Sequence, residues 1–261
     1  MSTVRKEIDF ERPPIVEVAV GVGFTPITAF TAPYFGRFWD VLGPDFPNCE
    51  QKNPILRNPP LSVVDLGDAP IRCWLLSKSG DRLVQLQNDA LIFNWRRQEA
   101  SAAYPEYTSI KPEFLKQLDH FSDFVKDQFG IALAFNRYEL TYVNLIPVTD
   151  GVTVLGLGGE LVVDHMRSRH ERLLPQPAGF DWSTTYPLPE HQGQLSIRAT
   201  SAIENSDARR HLVRLELSAV CGRTRSGVSP SDWLDMAHNW ITQGFVDVTN
   251  PDIQREVWQR K

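Results

Sequence analysis

The segment KPEFLKQLDHFSDFVKDQFGIALAFNRYELTYVNLIPV, residues 111–148, decides the fold because its hydrophobic period changes midway. Its first part places large apolar side chains on one helical stripe: Phe114, Leu118, Phe121, Val125 and Phe129. This spacing, with Gly130 after the last apolar residue, predicts an amphipathic helix that begins at Pro112. Residues 136–148 instead alternate between apolar and polar, as a strand with one buried face does. A helix packed on an antiparallel sheet is therefore expected.

The patterns on either side extend this architecture. Before the segment, the predicted elements are a strand at 13–24, a helix at 32–43, a five-proline loop at 44–60, and strands at 61–67, 71–78 and 82–97 with a turn at Asn88–Asp89. After it, we expect a strand at 160–164, a proline-rich loop at 173–190, a hairpin of residues 193–205 and 210–223, a helix capped by Ser229, and a short helix after Pro251.

These elements predict an α+β fold with antiparallel sheets and helices packed on one face. The pattern of strands followed by a helix occurs twice, which favours two similar halves at residues 1–148 and 149–261. One continuous domain is the alternative.

Composition narrows the function classes. The 261 residues are 42% hydrophobic and 23% charged, with a net charge of -5, so a duplex-DNA binder is not expected. Three cysteines without metal-ligand spacing indicate a reducing compartment. The N-terminus has no apolar segment typical of a signal peptide, and no apolar run is long enough to span a bilayer. We therefore expect a cytoplasmic protein.

Motifs for catalysis are not found in the sequence. It contains no GxxxxGK[ST], HExxH, GxSxG or CxxC pattern, so we expect no cofactor, no metal and no assigned catalytic residue. In DHMRSRHE, residues 164–171, His165 and His170 do not align on one helix face, and a polar strand end that leads into a loop is the favoured interpretation. His238 lies on the apolar stripe of the last long helix, where a hydrogen-bonded core histidine is the favoured interpretation.

Arginines beside aromatic residues form the candidate binding set. FNWRRQEASAAYPEY, residues 93–107, ends a predicted strand and crosses toward the helix. The candidate ligand- or partner-binding residues are Trp95, Arg96, Arg97, Tyr104, Arg198 and Arg214. Cross-strand ion pairs, an anion or RNA surface, and a protein interface are all consistent with these residues.

Several segments together resemble a known family. They are RPPIVEVAVGVGF, RLVQLQNDALIFNWRR followed by YPEY, the Phe-rich helix, NRYELTYVNLI and LDMAHNWITQGFVDVTNPDIQREVW. The chain is similar over nearly its whole length to a family of sporadically distributed bacterial proteins of about this size. The resemblance implies a patchy occurrence that fits mobile accessory genes, including toxin–antitoxin and anti-phage loci. It brings no set of catalytic residues.

Three hypotheses follow. The first is a non-catalytic binding or regulatory protein that contacts a protein partner, from the same operon, in a bacterial defence or toxin–antitoxin-like system. The second is an RNA or nucleotide binder that uses arginine and aromatic sheet faces. The third is an enzyme of unrecognised type built around His238 or the segment containing His165 and His170.

Overall fold

The computed structural model describes residues 8–55, 71–147, 179–204, 210–222 and 228–261. Nine strands of this part form an antiparallel sheet in the order β2-β3-β4-β5-β1-β6-β9-β8-β7. The strands are β1 (Ile15–Phe24), β2 (Asn48–Lys52), β3 (Arg72–Leu76), β4 (Arg82–Gln87), β5 (Ala90–Arg96), β6 (Phe135–Pro147), β7 (Asp181–Pro187), β8 (Gln194–Ile203) and β9 (His211–Cys221). The predicted antiparallel α+β class is confirmed.

Four helices accompany these strands: α1 (Ala32–Leu42), α2 (Tyr107–Phe129), α3 (Pro230–Val248) and α4 (Pro251–Glu256). The predicted stops are confirmed, because Gly43 follows α1 and Gly130 follows α2 with a left-handed φ of 69° that suits glycine. Ser229 caps α3 as predicted, since its Oγ accepts a hydrogen bond from the backbone N–H of Asp232 at 3.1 Å. No described helix combines the length and the apolarity that crossing a bilayer requires.

Three predictions of elements were wrong. Helix α2 begins at Tyr107 rather than Pro112, because Tyr107 and Ile110 are buried and carry the apolar stripe back past the proline. Strand β2 lies inside the predicted loop at 44–60, and β7 lies inside the predicted loop at 173–190. The predicted strands at 61–67 and 160–164 lie outside the described residues.

The chain divides into two compact units that alternate along the sequence. We call Glu17–Leu140 with Val220–Leu234 the Trp74 unit, and Met1–Val16 with Thr141–Ala219 and Asp235–Lys261 the His238 unit. The earlier division into residues 1–148 and 149–261 stays a prediction.

The core of the Trp74 unit lies between one sheet face and helices α1 and α2. Strand β1 contributes every second residue to that face, namely the fully buried Val18, Val20, Val22 and Phe24. Antiparallel pairing sets Val18 opposite Trp95 and Val20 opposite Phe93 on β5. The Phe121 ring of α2 lies 5.5 Å from that of Phe24 and 5.1 Å from that of Phe38 on α1. Because these rings are buried against one face of the sheet, the opposite face of the sheet points away from this core.

The core of the His238 unit is built from β8, β9 and the larger part of α3. Leu195 and Ile197 of β8 and Leu217 of β9 are buried. Gly244 brings α3 close to these strands, because a Cβ on it would lie 3.1 Å from Leu195 Cδ2. The Phe245 ring then packs 5.6 Å from that of Phe10 and 5.0 Å from that of Trp258.

Candidate binding site on the polar face of the Trp74 unit

The sheet face opposite the valines of β1 carries a group of polar side chains beside the buried Leu83 and Ile92. Strand register places Glu17, Arg96 and Asn94 on this face, and extends it through β4 and β3 to the edge strand β2. We define the polar face by these side chains: Glu17, Lys52, Arg72, Trp74, Gln85, Asn94 and Arg96. Because side chains alternate along a strand, this set is separated by the sheet from the aromatic core.

Three cations surround one indole ring on this face. Lys52 Nζ lies 4.8 Å from the Trp74 ring centroid, the Arg96 guanidinium carbon 5.0 Å, and that of Arg72 5.4 Å. All three distances are within the roughly 6 Å range of cation–π attraction. We call Lys52, Arg72, Trp74 and Arg96 the Trp74 cluster.

Two of these cations have polar partners. Lys52 Nζ forms an ion pair with Glu50 at 2.6 Å. Arg72 donates from Nη1 to the carbonyl oxygen of Asn53 at 3.2 Å and from Nη2 to Gln85 Oε1. These contacts hold both side chains in place beside the ring.

A chain of side-chain hydrogen bonds that runs through Gln85 and Asn94 holds the Trp74 cluster in place. Gln85 Oε1 also accepts from Trp74 Nε1 at 3.2 Å, and Gln85 Nε2 donates to Asn94 Oδ1 at 2.6 Å. Asn94 Nδ2 then donates to Glu17 Oε1 at 2.6 Å. Gln85 and Asn94 are both buried, and buried amides of this kind are costly without partners. The chain therefore fixes the rotamers of the groups around Trp74.

Arg96 differs from the other two cations. Its Nε–H is buried and contacts no acceptor within the described ranges; the Nε–H of Arg72 is in the same state, but Arg72 donates from both of its Nη groups. Glu17 lies directly opposite it in the β1–β5 register, but that carboxylate accepts from Asn94. The contact of the Arg96 guanidinium is with the Trp74 ring. A half-buried guanidinium whose Nε–H meets no acceptor among the described residues is an arrangement that suits a bound anion.

The other candidates around Arg96 lie elsewhere. Trp95 is 6% exposed and opposes Val18 on the core face, with its ring 5.5 Å from that of Tyr104. Arg97 follows the end of β5, and its desolvation lowers the pKa of its guanidinium. Trp95 and Tyr104 are therefore packing residues in this arrangement.

Arg198 and Arg214 belong to the His238 unit and form ion pairs there. Arg198 binds Asp181 with two hydrogen bonds, from Nε to Oδ1 at 2.9 Å and from Nη2 to Oδ2 at 2.5 Å. Arg214 pairs with Glu216 two residues along β9 at 2.5 Å. Both arginines are well exposed, so each is a solvated pair on the sheet surface.

His238 is half-buried and hydrogen-bonded within its unit. Its Nδ1 lies 2.9 Å from the Tyr142 hydroxyl, and burial lowers the pKa of the imidazole to about 4, against a smaller opposing effect of Asp235. The ring is therefore neutral near pH 7, and this geometry agrees with the structural interpretation. Residues 8–55, 71–147, 179–204, 210–222 and 228–261 contain no group of three or more metal-ligating side chains, and His165 and His170 lie outside these ranges.

Comparisons with known proteins add little to this geometry. No protein-family model matches the chain, and no curated protein matches it. Among solved structures, the crystal structure of DynU16, from the dynemicin biosynthetic locus, covers 89% of this chain and 95% of its own. The identity is 10% and the TM-score is 0.26, a level of similarity that carries no argument about function.

The sequence-based candidates included Arg96 but missed Lys52, Arg72 and Trp74. The pattern R-x-W at Arg72 and Trp74 places both side chains on one face of a strand, and this spacing alone indicates that the two side chains lie close together. The sequence gives no indication for Lys52, because β2 lies within the predicted loop at 44–60.

Proposed function

We propose that this protein is a non-catalytic binding protein whose polar face holds an anionic ligand at the Trp74 cluster. The observation that carries the proposal is Arg96, a half-buried guanidinium over Trp74 whose Nε–H meets no acceptor among the described residues. Buried donors of charged groups are normally satisfied, because leaving one without a partner costs about 1–3 kcal/mol or more.

The chemistry of the cluster favours a carboxylate or phosphate group. Arginine presents planar paired donors that match both oxyanions, and Lys52 adds a second positive charge nearby. Trp74 has three cations around its ring, which leaves it as a support for the cations rather than a platform for stacked bases. A small anion or one acidic group of a larger molecule therefore suits the cluster better than single-stranded RNA does.

The test is a binding titration with inorganic phosphate, citrate and adenosine monophosphate, followed by tryptophan fluorescence and calorimetry. Arg96→Gln should weaken binding at least tenfold, which corresponds to about 1.4 kcal/mol. Arg198→Gln is the matched control, because that arginine is exposed and already paired with Asp181, and it should leave affinity unchanged. Equal affinity of the two variants, or no saturable binding of any of the three anions, would overturn the proposal.

A protein partner from a neighbouring gene is the second candidate function. Strands β2 and β7 lie at the two ends of the strand order, and an end strand offers backbone groups to which a partner strand can add. The family resemblance adds the expectation of a defence or toxin–antitoxin-like locus. Co-purification from the native host with the products of adjacent genes tests this candidate, and a monomer that retains none of them would count against it.

A further inference from the structure

Two cysteines of the Trp74 unit lie beside each other on adjacent strands. In the β2–β3 register Cys49 opposes Leu75, and Cys73 opposes Gln51. Cys49 and Cys73 are therefore diagonal neighbours on one face of the sheet. Each thiol is near enough to affect the pKa of the other, and both are free thiols.

The two thiols differ in access. Cys49 is exposed on strand β2, which lies at the end of the strand order, whereas Cys73 is 8% exposed. An oxidant from solution therefore reaches Cys49 first, and Cys73 is placed to resolve the oxidised sulfur. Cys221, also buried, lies on β9 and offers a control within the same chain.

We propose that Cys49 and Cys73 are an oxidation site, at which a peroxide converts the two thiols into a disulfide that joins the edge strand β2 to β3. The Cys49 thiolate attacks a peroxide oxygen, which gives a sulfenic acid and releases hydroxide. The Cys73 thiolate then attacks the Cys49 sulfur and expels a second hydroxide, and the two hydroxides take up the protons that the two thiols lost. One hydrogen peroxide is reduced to two waters, and the two sulfurs supply the two electrons.

Closure requires a small shift of β2. Diagonal neighbours have Cα atoms about 7–8 Å apart, whereas disulfides span about 4.4–6.8 Å. All five residues of β2 except Lys52 are exposed, so little side-chain packing opposes a local shift of this strand. The resulting bond is strained, and strained disulfides are more readily reduced. The cross-link is therefore reversible by thiol reductants.

The rate of closure depends on pH. Burial raises the pKa of both thiols, that of Cys73 to about 12, and the charge of Glu50 raises that of Cys49 further. Only the thiolate reacts, so oxidation is slow near pH 7 and accelerates as the pH rises. The disulfide therefore forms during sustained exposure to peroxide rather than during a brief one.

The disulfide would affect the geometry of the Trp74 cluster, because both cysteines are close in sequence to residues of that cluster. Cys73 lies between Arg72 and Trp74, and Cys49 lies three residues before Lys52. Fixing β2 against β3 would therefore change how Lys52 sits over Trp74. This effect on anion affinity rests on the proposed function, whereas the cross-link does not.

The test treats the full chain with hydrogen peroxide at about pH 8.5, alkylates the remaining thiols under denaturing conditions, and maps peptides by mass spectrometry. We expect a Cys49–Cys73 peptide, the loss of two hydrogen atoms, and alkylation of Cys221 alone. Treatment with dithiothreitol before alkylation should leave all three cysteines open to the alkylating reagent. Cys221→Ser should leave the cross-link intact, while Cys49→Ala and Cys73→Ala should each abolish it.

Two outcomes would overturn the proposal: sulfinic acid at Cys49 without the linked peptide, or disulfide-linked dimers in place of the internal bond. Phosphate titration of the oxidised and reduced protein separates the two proposals. A linked peptide with no binding of phosphate, citrate or adenosine monophosphate in either form refutes the proposed function alone. Phosphate binding without a linked peptide refutes the oxidation site alone.

Discussion

Acidification should destabilise the protein through His238. Burial lowers the pKa of its imidazole from 6.5 to about 4. As the pH falls, the unfolded chain takes up a proton near pH 6.5, whereas the folded imidazole stays neutral until about pH 4. The stabilisation that the neutral imidazole provides is fully present above about pH 6.5 and is lost as the pH falls from about 6.5 to about 4. The linkage relation gives a loss of about 2.5 kcal/mol between about pH 7.5 and pH 4.5.

His238→Gln isolates this contribution because it removes the titrating group. At about pH 7.5 the variant should be less stable by about 1 kcal/mol, the typical value of a hydrogen bond such as that to Tyr142. At about pH 4.5 the order should reverse, and the variant should be the more stable by about 1.5 kcal/mol. The carboxylates titrate in both proteins, so their effect cancels in the comparison.

The assay is urea unfolding at both pH values, followed by far-ultraviolet circular dichroism and tryptophan fluorescence. The measured quantity is the difference in the free energy of unfolding between wild type and variant at each pH. If both proteins lose the same stability between the two pH values, then His238 does not titrate as its burial requires and the reasoning is wrong.

Three further variants test the packing in thermal and urea denaturation. Gly21→Val should cost about 1–3 kcal/mol, because a Cβ there would lie 2.8 Å from Glu139 Oε1 and 2.9 Å from Ile92 Cγ1; wild-type stability would show that both side chains move away freely. Ser229→Ala should cost about 1 kcal/mol through loss of the α3 cap to Asp232, and Ser229→Asp should retain most of it. Asn94→Leu should cost about 1–3 kcal/mol, because it interrupts the buried hydrogen-bond chain; an unchanged unfolding midpoint would mean that the chain adds no stability.

The fold class was predictable because its central elements have strong periods. The alternation in residues 136–148 and the Phe stripe before it are each sufficient to identify a strand and a helix. The edge strands were missed for a physical reason. In NCEQK the residues of β2 are nearly all exposed, so no buried face imposes a hydrophobic alternation, and in β7 the prolines on either side masked the alternation of Trp182, Thr184 and Tyr186.

The candidate site was less predictable because it depends on strand register. Arg96 was selected for its neighbours in the sequence, yet Trp95 must face the opposite side of a strand from Arg96, as period two requires. The ring that Arg96 does contact, Trp74, is 22 positions earlier in the numbering and two strands away. Only the pairing of β3, β4 and β5 brings these two residues together.

The alternation of the two units along the chain has a consequence for synthesis on the ribosome. The Trp74 unit includes residues 220–234, and the Tyr138 hydroxyl donates to the carbonyl oxygen of Val228, 90 positions later. At translation rates of about 5–20 residues per second, Tyr138 waits on the order of 5–20 seconds for this partner. During that interval the nascent unit lacks the segment that carries Trp233, whose ring packs on that of Tyr138. The unit is incomplete during this interval, which is therefore the stage of its synthesis at which it is most exposed to aggregation and to chaperone binding.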